Sequence, residues 1–278
     1  QMKNYNTTVS QLQTKINELT LKIDEMTGDV VSIGKCGQNV DFVLYSDGRL
    51  LLKGTGATFD YNSGSNPSPL LDNNNIKTVI VSEGITGIGE RLFQYCNNLK
   101  TASLPTTLTS IKKSAFMPHI DEYLSHQVLN GLTELRIPER VAELGENAFA
   151  GTAIKSVTVP SSVVTVGAMV FTECQNLETV RYGGKSISDR MFARCIRLKI
   201  LTLTKSVREI VGGCFNYCEK LTQITYEGSL ADWNAVKKNI NWDWHSNSTI
   251  ETPLTKIQCL DGYMEYVANT KTWKEVKS

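Results

Sequence analysis

Residues able to make or break bonds are few in this sequence and poorly spaced for doing so. It holds three histidines. Two of them, His119 and His126, share one short stretch with Asp121 and Glu122. That grouping comes nearest to a metal-ligand set, yet its spacing matches no established one. No GxSxG elbow, HExxH helix, phosphate-cradling GxxxxGK[ST] loop or CxxC pair occurs. Glycoside hydrolysis needs two opposed carboxylates, and nothing singles out such a pair. The expectation is a non-enzyme with no metal and no cofactor. What the side chains offer is contact chemistry. The tryptophans, Trp233, Trp242, Trp244 and Trp273, gather near the C-terminus with Tyr263 and Tyr266. Indole faces stack on sugars and anchor interfaces. Trp242 and Trp244 are therefore candidate ligand contacts, with packing in a terminal cap as the alternative.

These groups need a scaffold, and phenylalanine marks it. Phe93, Phe116, Phe149, Phe171, Phe192 and Phe215 recur, with four of the five intervals between 21 and 23 residues. Such a period belongs to a solenoid, in which each repeat lays one coil on the last. A second pattern keeps the same period, for example Leu99-Lys-Thr-Ala-Ser-Leu, Leu132-Thr-Glu-Leu-Arg-Ile, Ile154-Lys-Ser-Val-Thr-Val and Leu177-Glu-Thr-Val-Arg-Tyr. These are LxxLxL strands whose fourth and sixth residues point inward and whose third and fifth point outward. The outward set includes Thr101, Ser103, Glu134, Arg136, Thr158 and Arg181, a candidate ligand-binding face. Equally, threonine suits any exposed strand. Between Phe116 and Leu132 lies an insertion, residues 117–131, carrying His119, Asp121, Tyr123 and His126. Insertions leave solenoids as loops, so this one is either a recognition loop or a tolerated decoration.

Composition narrows the remaining classes. A net charge of +1 gives no footprint for nucleic acid. No apolar run is long enough to insert in a membrane. The sequence begins at Gln1, so a processed product or a piece of a longer polypeptide is expected, with a signal or anchor upstream. Of seven cysteines, Cys96, Cys174, Cys195 and Cys218 each follow a repeat phenylalanine by three residues. Stacking would align them as buried free thiols rather than bridges.

Residues 1–30 carry a different period. Val9, Leu12, Ile16, Leu19, Ile23 and Met26 alternate at spacings of three and four, an a/d heptad. This predicts an oligomerising coiled coil about 43 Å long at about 1.5 Å per residue. The packing rule for β-branched a positions favours a dimer. The alternative is an amphipathic helix folded back on the repeats.

The repeats resemble BspA-like leucine-rich repeats over residues 76–226, as in Leu144-Gly-Glu-Asn-Ala-Phe followed by Ile154-Lys-Ser-Val-Thr-Val-Pro. The stretch from Gly34 through Asp60-Tyr61 is similar to the module that often precedes such arrays, and it reads as a β-hairpin about Asp47-Gly48. The run from Tyr226 through Trp233 resembles the family's closing segment, which implies that Trp233 is packed. The expected fold is an α+β repeat: a leucine-rich-repeat solenoid with a β-rich N-terminal cap and an N-terminal coiled-coil helix. Its expected domains are 1–30, the oligomerisation helix; 31–75, the hairpin cap; 76–220, six repeats; and 221–278, the C-terminal cap and tail. The resemblance implies surface attachment, because family members are mostly cell-surface or secreted proteins and related arrays occur in phage host-recognition proteins. The expected function is an oligomeric receptor-binding protein, a phage tail fibre or virion appendage that binds a host-cell receptor, protein or glycan. Resemblance to fibres favours a homotrimer over the dimer. The alternatives are a bacterial cell-surface adhesin, hence extracellular, and a structural virion subunit without an external ligand.

Overall fold

The computed structural model describes residues 12–17, 28–120, 131–239, 242–243 and 253–277. Strands dominate the regular structure, and each coil but one supplies one long and one short strand. The long set begins with β1 (Val30–Gly37), β2 (Val40–Tyr45) and β3 (Arg49–Gly54), followed by the short β4 (Gly56–Ala57). Next come β5 (Thr78–Val81), β6 (Ile85–Ile88), β7 (Thr101–Ser103), β8 (Ser110–Ile111) and β9 (Glu143–Leu144). The later coils give β10 (Ser156–Val159), β11 (Thr165–Val166), β12 (Thr179–Tyr182), β13 (Ser186–Ile187), β14 (Ile200–Thr204), β15 (Glu209–Ile210) and β16 (Gln223–Glu227). A short helix α1 (Leu230–Ala235), β17 (Lys237–Lys238), β18 (Lys256–Cys259), β19 (Gly262–Val267) and β20 (Thr272–Lys277) close the array.

The long strands form two sheets, ordered β1-β2-β3-β5-β7 and β10-β12-β14-β16-β18-β19-β20. The short strands form β11-β9-β8-β6-β4 and β13-β15-β17. Pairing between coils is parallel, whereas β1-β2-β3 and β18-β19-β20 are antiparallel. In the hairpin of β2 and β3, Leu44 faces Leu50 and Phe42 faces Leu52 across the Asp47-Gly48 turn, where Gly48 takes φ +94. All four side chains are buried.

The phenylalanines stack through the core. Successive ring centroids from Phe93 to Phe215 lie 5.1, 5.5, 5.6, 5.7 and 6.3 Å apart. Beyond Phe116 the interplanar angles are all 7° or less, so these are parallel rings. The turn that holds each ring is left-handed on both sides, except after Phe116. Arg91, Ser114, Asn147, Met169, Arg190 and Gly213, two residues before the rings, all have positive φ. So do Tyr95, Gly151, Glu173, Arg194 and Tyr217, two residues after. That conformation costs a non-glycine residue roughly 1–2 kcal/mol. It turns the amide of every second residue toward the next coil: Met169 N donates to Asp189 O, Phe171 N to Met191 O and Glu173 N to Ala193 O, each at 2.9 Å. An earlier turn uses Leu70 in place of phenylalanine, with Asp72 at φ 53 donating to Gln94 O.

The cysteines complete this turn. Cys96, Cys174, Cys195 and Cys218 donate from Sγ to the carbonyls of Leu70, Phe149, Phe171 and Phe192 in the preceding coil, at 3.1–3.3 Å. Thr152 stands at the same position after Phe149, but its hydroxyl donates to Phe149 O of its own coil at 2.8 Å. All seven cysteines are free and buried.

Two findings depart from expectation. Leu132–Pro138 reads as a strand, but no strand forms there, and the long sheet breaks between β7 and β10. The break follows the insertion. Pro118 occupies the place two residues after Phe116 where the other turns have positive φ. A proline ring locks φ near −65°, so this turn cannot repeat, and the chain re-enters register only at Gly131, whose amide donates to Asn97 O.

The second departure is at the front. Residues 12–17 are helical, but Asn17 is buried and its Oδ1 accepts from Ser103 Oγ at 2.9 Å. Gly28 lies against Tyr45, where an added Cβ would fall 2.5 Å from the ring. Both ends of this stretch thus meet the outward side of the N-terminal sheet, which fits the folded-back alternative rather than a free stalk. Its polarity is reversed, however. Leu12 and Ile16 are 56% and 53% exposed while the amide side chains face the sheet. Val9, Leu19, Ile23 and Met26 lie outside the described residues. Other outward positions of this sheet are apolar: Tyr45, Leu51 and Ile80 form a second buried cluster.

Phe171→Ala, in mid-stack, should lower unfolding free energy by about 3–5 kcal/mol, against less than about 1 kcal/mol for Thr202→Ala, read by urea denaturation. A second measurement concerns pH. Burial pushes the Cys36, Cys96, Cys174 and Cys218 thiols up to about 12 from an ordinary value of 9.0. A raised folded-state pKa gives stability that is complete below 9 and lost as pH rises toward 12. Each fully buried thiol then removes about 1.4 kcal/mol per pH unit. Lys238, held down to about 8 by desolvation, works in the opposite sense but is a single group. The urea midpoint should therefore fall steeply between pH 9 and 11, and a flat profile would contradict this account of the thiols.

Candidate binding face

Parallel register lines up the outward residues of the C-terminal sheet. Thr158, Arg181, Thr202, Thr225 and Gln258 stand directly opposite one another across β10, β12, β14, β16 and β18. Tyr263 of β19 continues the row beside Gln258. A flanking row runs Ser156, Thr179 and Ile200. Neighbouring strands lie about 4.8 Å apart, so each row is a ruler of side chains held by backbone pairing. The inward partners Val157, Val180, Leu201 and Ile224 are all at most 4% exposed and anchor the sheet to the core.

Charge on this face is paired across strands. Arg181 reaches over β14 to Glu227, making a bidentate contact whose Nη2–Oε2 arm is 2.8 Å. That contact raises the Arg181 pKa. Lys199 Nζ meets Glu178 at 3.0 Å, and its hydrogen bond holds the Glu178 carboxyl below the usual range. Lys256 sits over the Tyr263 ring at 4.3 Å. Such a surface offers donors, acceptors and one exposed aliphatic group, Ile200 at 55%, and it is suited to non-covalent recognition. Among the described residues no cluster of metal-ligating side chains forms.

The expected site residues divide clearly. Thr158 and Arg181 are exposed on this face. Thr101 and Ser103 belong to the other sheet, where Thr101 Oγ1 donates to Thr78 Oγ1 and Ser103 is engaged by Asn17. Glu134 and Arg136 are exposed but sit in the irregular coil between the two sheets. His119 is exposed and stacks on Tyr95 at 4.7 Å; Asp121, Tyr123, His126 and Trp244 lie outside the described residues. Trp242 requires a correction. It is 9% exposed, packed between Trp233 at 5.7 Å and Trp273 at 5.8 Å, so it seals the cap and presents no free face. Residues that the sequence reading passed over are Gln258 and Lys256. The alternation of Lys256-Ile-Gln-Cys259, with Ile257 and Cys259 buried, was the available signal.

A family model for the BspA-type leucine-rich repeat region matches in six copies, over residues 59–121 and 118–236. The chain belongs to the BspA-type leucine-rich repeat family. No curated protein matches the sequence. Among solved structures, it is similar to a leucine-rich repeat protein from Bacteroides ovatus at 16% identity, covering 85% of this chain and 76% of that one, with a TM-score of 0.46. It is similar to the T. pallidum leucine-rich repeat protein at 21% identity, covering 66% and 88%, with a TM-score of 0.47. A leucine-rich cell surface protein from Faecalibacterium prausnitzii is 15% identical, covering 81% and 100%, with a TM-score of 0.25. No described helix of this BspA-type chain is long and apolar enough to cross a membrane.

Because the Arg181–Glu227 pair is exposed, it contributes little to folding. Arg181→Ala should shift the unfolding free energy by less than about 1 kcal/mol in thermal denaturation. That leaves the face open to mutation without loss of the fold.

Proposed function

We propose that this chain is an extracellular binding protein of the cell-surface adhesin kind, and that the outward face of its C-terminal sheet takes a polar ligand, glycan or protein. The observation carrying this reading is the row Thr158–Arg181–Thr202–Thr225–Gln258, aligned residue for residue across five strands. Hydroxyl, guanidinium and amide groups repeat along it at about 4.8 Å. That spacing suits an extended ligand with its own regular polar groups. Membership of the BspA-type family supports a surface setting, and no catalytic family is indicated.

The virion-fibre reading drew on a coiled-coil stalk. With Asn17 seated on Ser103, the stalk lends it no support, and the cell-surface adhesin is the preferred setting. Self-association, as a trimer or dimer, is part of this proposal, and the exposed Leu12 and Ile16 are one surface that could carry it. Several copies would turn weak contacts into avidity. A purely structural subunit would instead have this face covered by its neighbours.

The test is binding of the labelled chain to glycan arrays and to intact epithelial cells, compared with Arg181→Ala and Thr225→Arg. Each variant should keep its unfolding midpoint and lose at least about tenfold in affinity, the scale of a lost charged or central contact. Binding indifferent to both changes, or no binding to any surface offered, would defeat the proposal.

A further inference from the structure

The two ends of the array treat their open edges differently. At the C-terminal end β20 carries Lys274, Glu275 and Lys277, and edge lysines discourage further pairing. At the N-terminal end, among the described residues, β1 pairs only with β2, apart from one bridge between Gly37 and Thr58. Its first four residues, Val30-Val-Ser-Ile33, carry no charge. Val30, Val31 and Ile33 are 55%, 60% and 71% exposed. A long uncharged edge with apolar side chains is a template for another strand.

We propose that β1 pairs antiparallel with β1 of a second copy of this chain, about a two-fold axis at Ser32. The sequence of this edge is self-complementary in that register. Val31 stands opposite Ile33 of the other copy, and Lys35 opposite Asp29, and each contact occurs twice, as a two-fold interface requires. Charge complementarity at both ends selects a second copy over an unrelated strand. Asp29 and Lys35 are exposed. In its own chain Lys35 meets Asp41 at 3.5 Å, with both side chains more than 60% exposed, and the Gln38 carbonyl at 3.4 Å, so it is held only by surface contacts. Ser32 to Lys35, one half of the proposed pairing, runs in plain register with β2, and the irregularity at Val30/Ser32 falls in the other half.

The consequence follows from strand geometry. Opposed residues in an antiparallel pair point to the same side, so the two N-terminal sheets merge into one sheet of ten strands. Both arrays then run away from the axis with their outward faces on the same side. This arrangement is bivalent, and its functional value rests on the binding role proposed above; the pairing itself does not. A single strand pair gives an interface below about 1,200 Å², the range of weak association.

The experiment is sedimentation velocity on the full chain, without ligand, from about 1 to 200 µM, a range chosen for micromolar dissociation constants. The wild type should be in monomer–dimer exchange. Ile33→Lys should weaken dimerisation at least about tenfold. Asp29→Lys and Lys35→Asp should each weaken it, and the double reversal should restore it. Ser32→Cys should give a disulfide-linked dimer on mild oxidation, since the native thiols are buried. Circular dichroism melts confirm that each variant folds. The pairing is overturned by a wild type that stays monomeric throughout. It is equally overturned by association that ignores Ile33, Asp29 and Lys35 but vanishes with Leu12→Asp and Ile16→Asp, because the helical segment would then be the interface.

Discussion

Everything in this molecule depends on hydrogen bonds running from one coil to the next. Parallel strand pairing supplies them along the flat sides, and left-handed residues flanking the phenylalanines, all but the position after Phe116, supply them at the corner. A corner closed by ordinary turns would leave amides unpaired in a dry interior, where each lost bond costs about 1–3 kcal/mol. Instead Met169, Phe171 and Glu173 each donate across to the next coil. The strain at non-glycine positions such as Met169 and Arg190 is the counterpart of that arrangement. Ring stacking follows from it: the rings are parallel because the backbones that carry them are in register. The thiols follow too, since a residue three places on finds the carbonyl of the preceding coil within reach.

The same rule explains where regularity fails. Proline at position 118 cannot take the left-handed conformation the corner requires. The chain leaves at that point, and the next long strand does not form at Leu132–Pro138. Yet the core does not break. Phe116 and Phe149 still stack at 5.5 Å, and Leu132 and Ile137 remain buried. Packing therefore bridges a defect that the strand ladder cannot, and the two halves of the outward face become separate surfaces.

Much of this was legible in the sequence because it is periodic. The spacing of phenylalanine and cysteine fixes the corner, and the LxxLxL alternation correctly separates Val157 and Val180 from Thr158 and Arg181. What escaped was aperiodic. The heptad of the first thirty residues marks Leu12 and Ile16 as a buried seam, but heptads report only that an apolar stripe exists, not which side meets the sheet. Asn17, a polar residue outside the stripe, makes the contact. Trp242 misled for a related reason. An open solenoid end needs a large apolar plug, and the chain from Tyr226 through Trp233, Trp242 and Trp273 to Tyr266 provides one, with successive rings 5.3–5.8 Å apart. Tryptophan content alone does not distinguish a plug from a sugar platform.

The outward face is hard to read for a deeper reason. Its side chains contribute little to holding the coils together, since the inward positions and the backbone do that work. Arg181 and Glu227 are half exposed, and Thr202 and Thr225 fit any strand surface. Folding therefore places no demand on their identity, and only a ligand can. The face is free in chemistry but fixed in position, because the residues along its strands sit at register points set by their buried neighbours. A scaffold of this kind separates stability from recognition: it can keep its rulers and change their markings one side chain at a time. The ends have no such freedom, because an unpaired strand or an uncapped core exposes the very groups the array exists to satisfy. The two ends differ in this respect: β20 bears Lys274 and Lys277 along its length, whereas the first four residues of β1 carry no charge, so the last strand discourages further pairing more than the first.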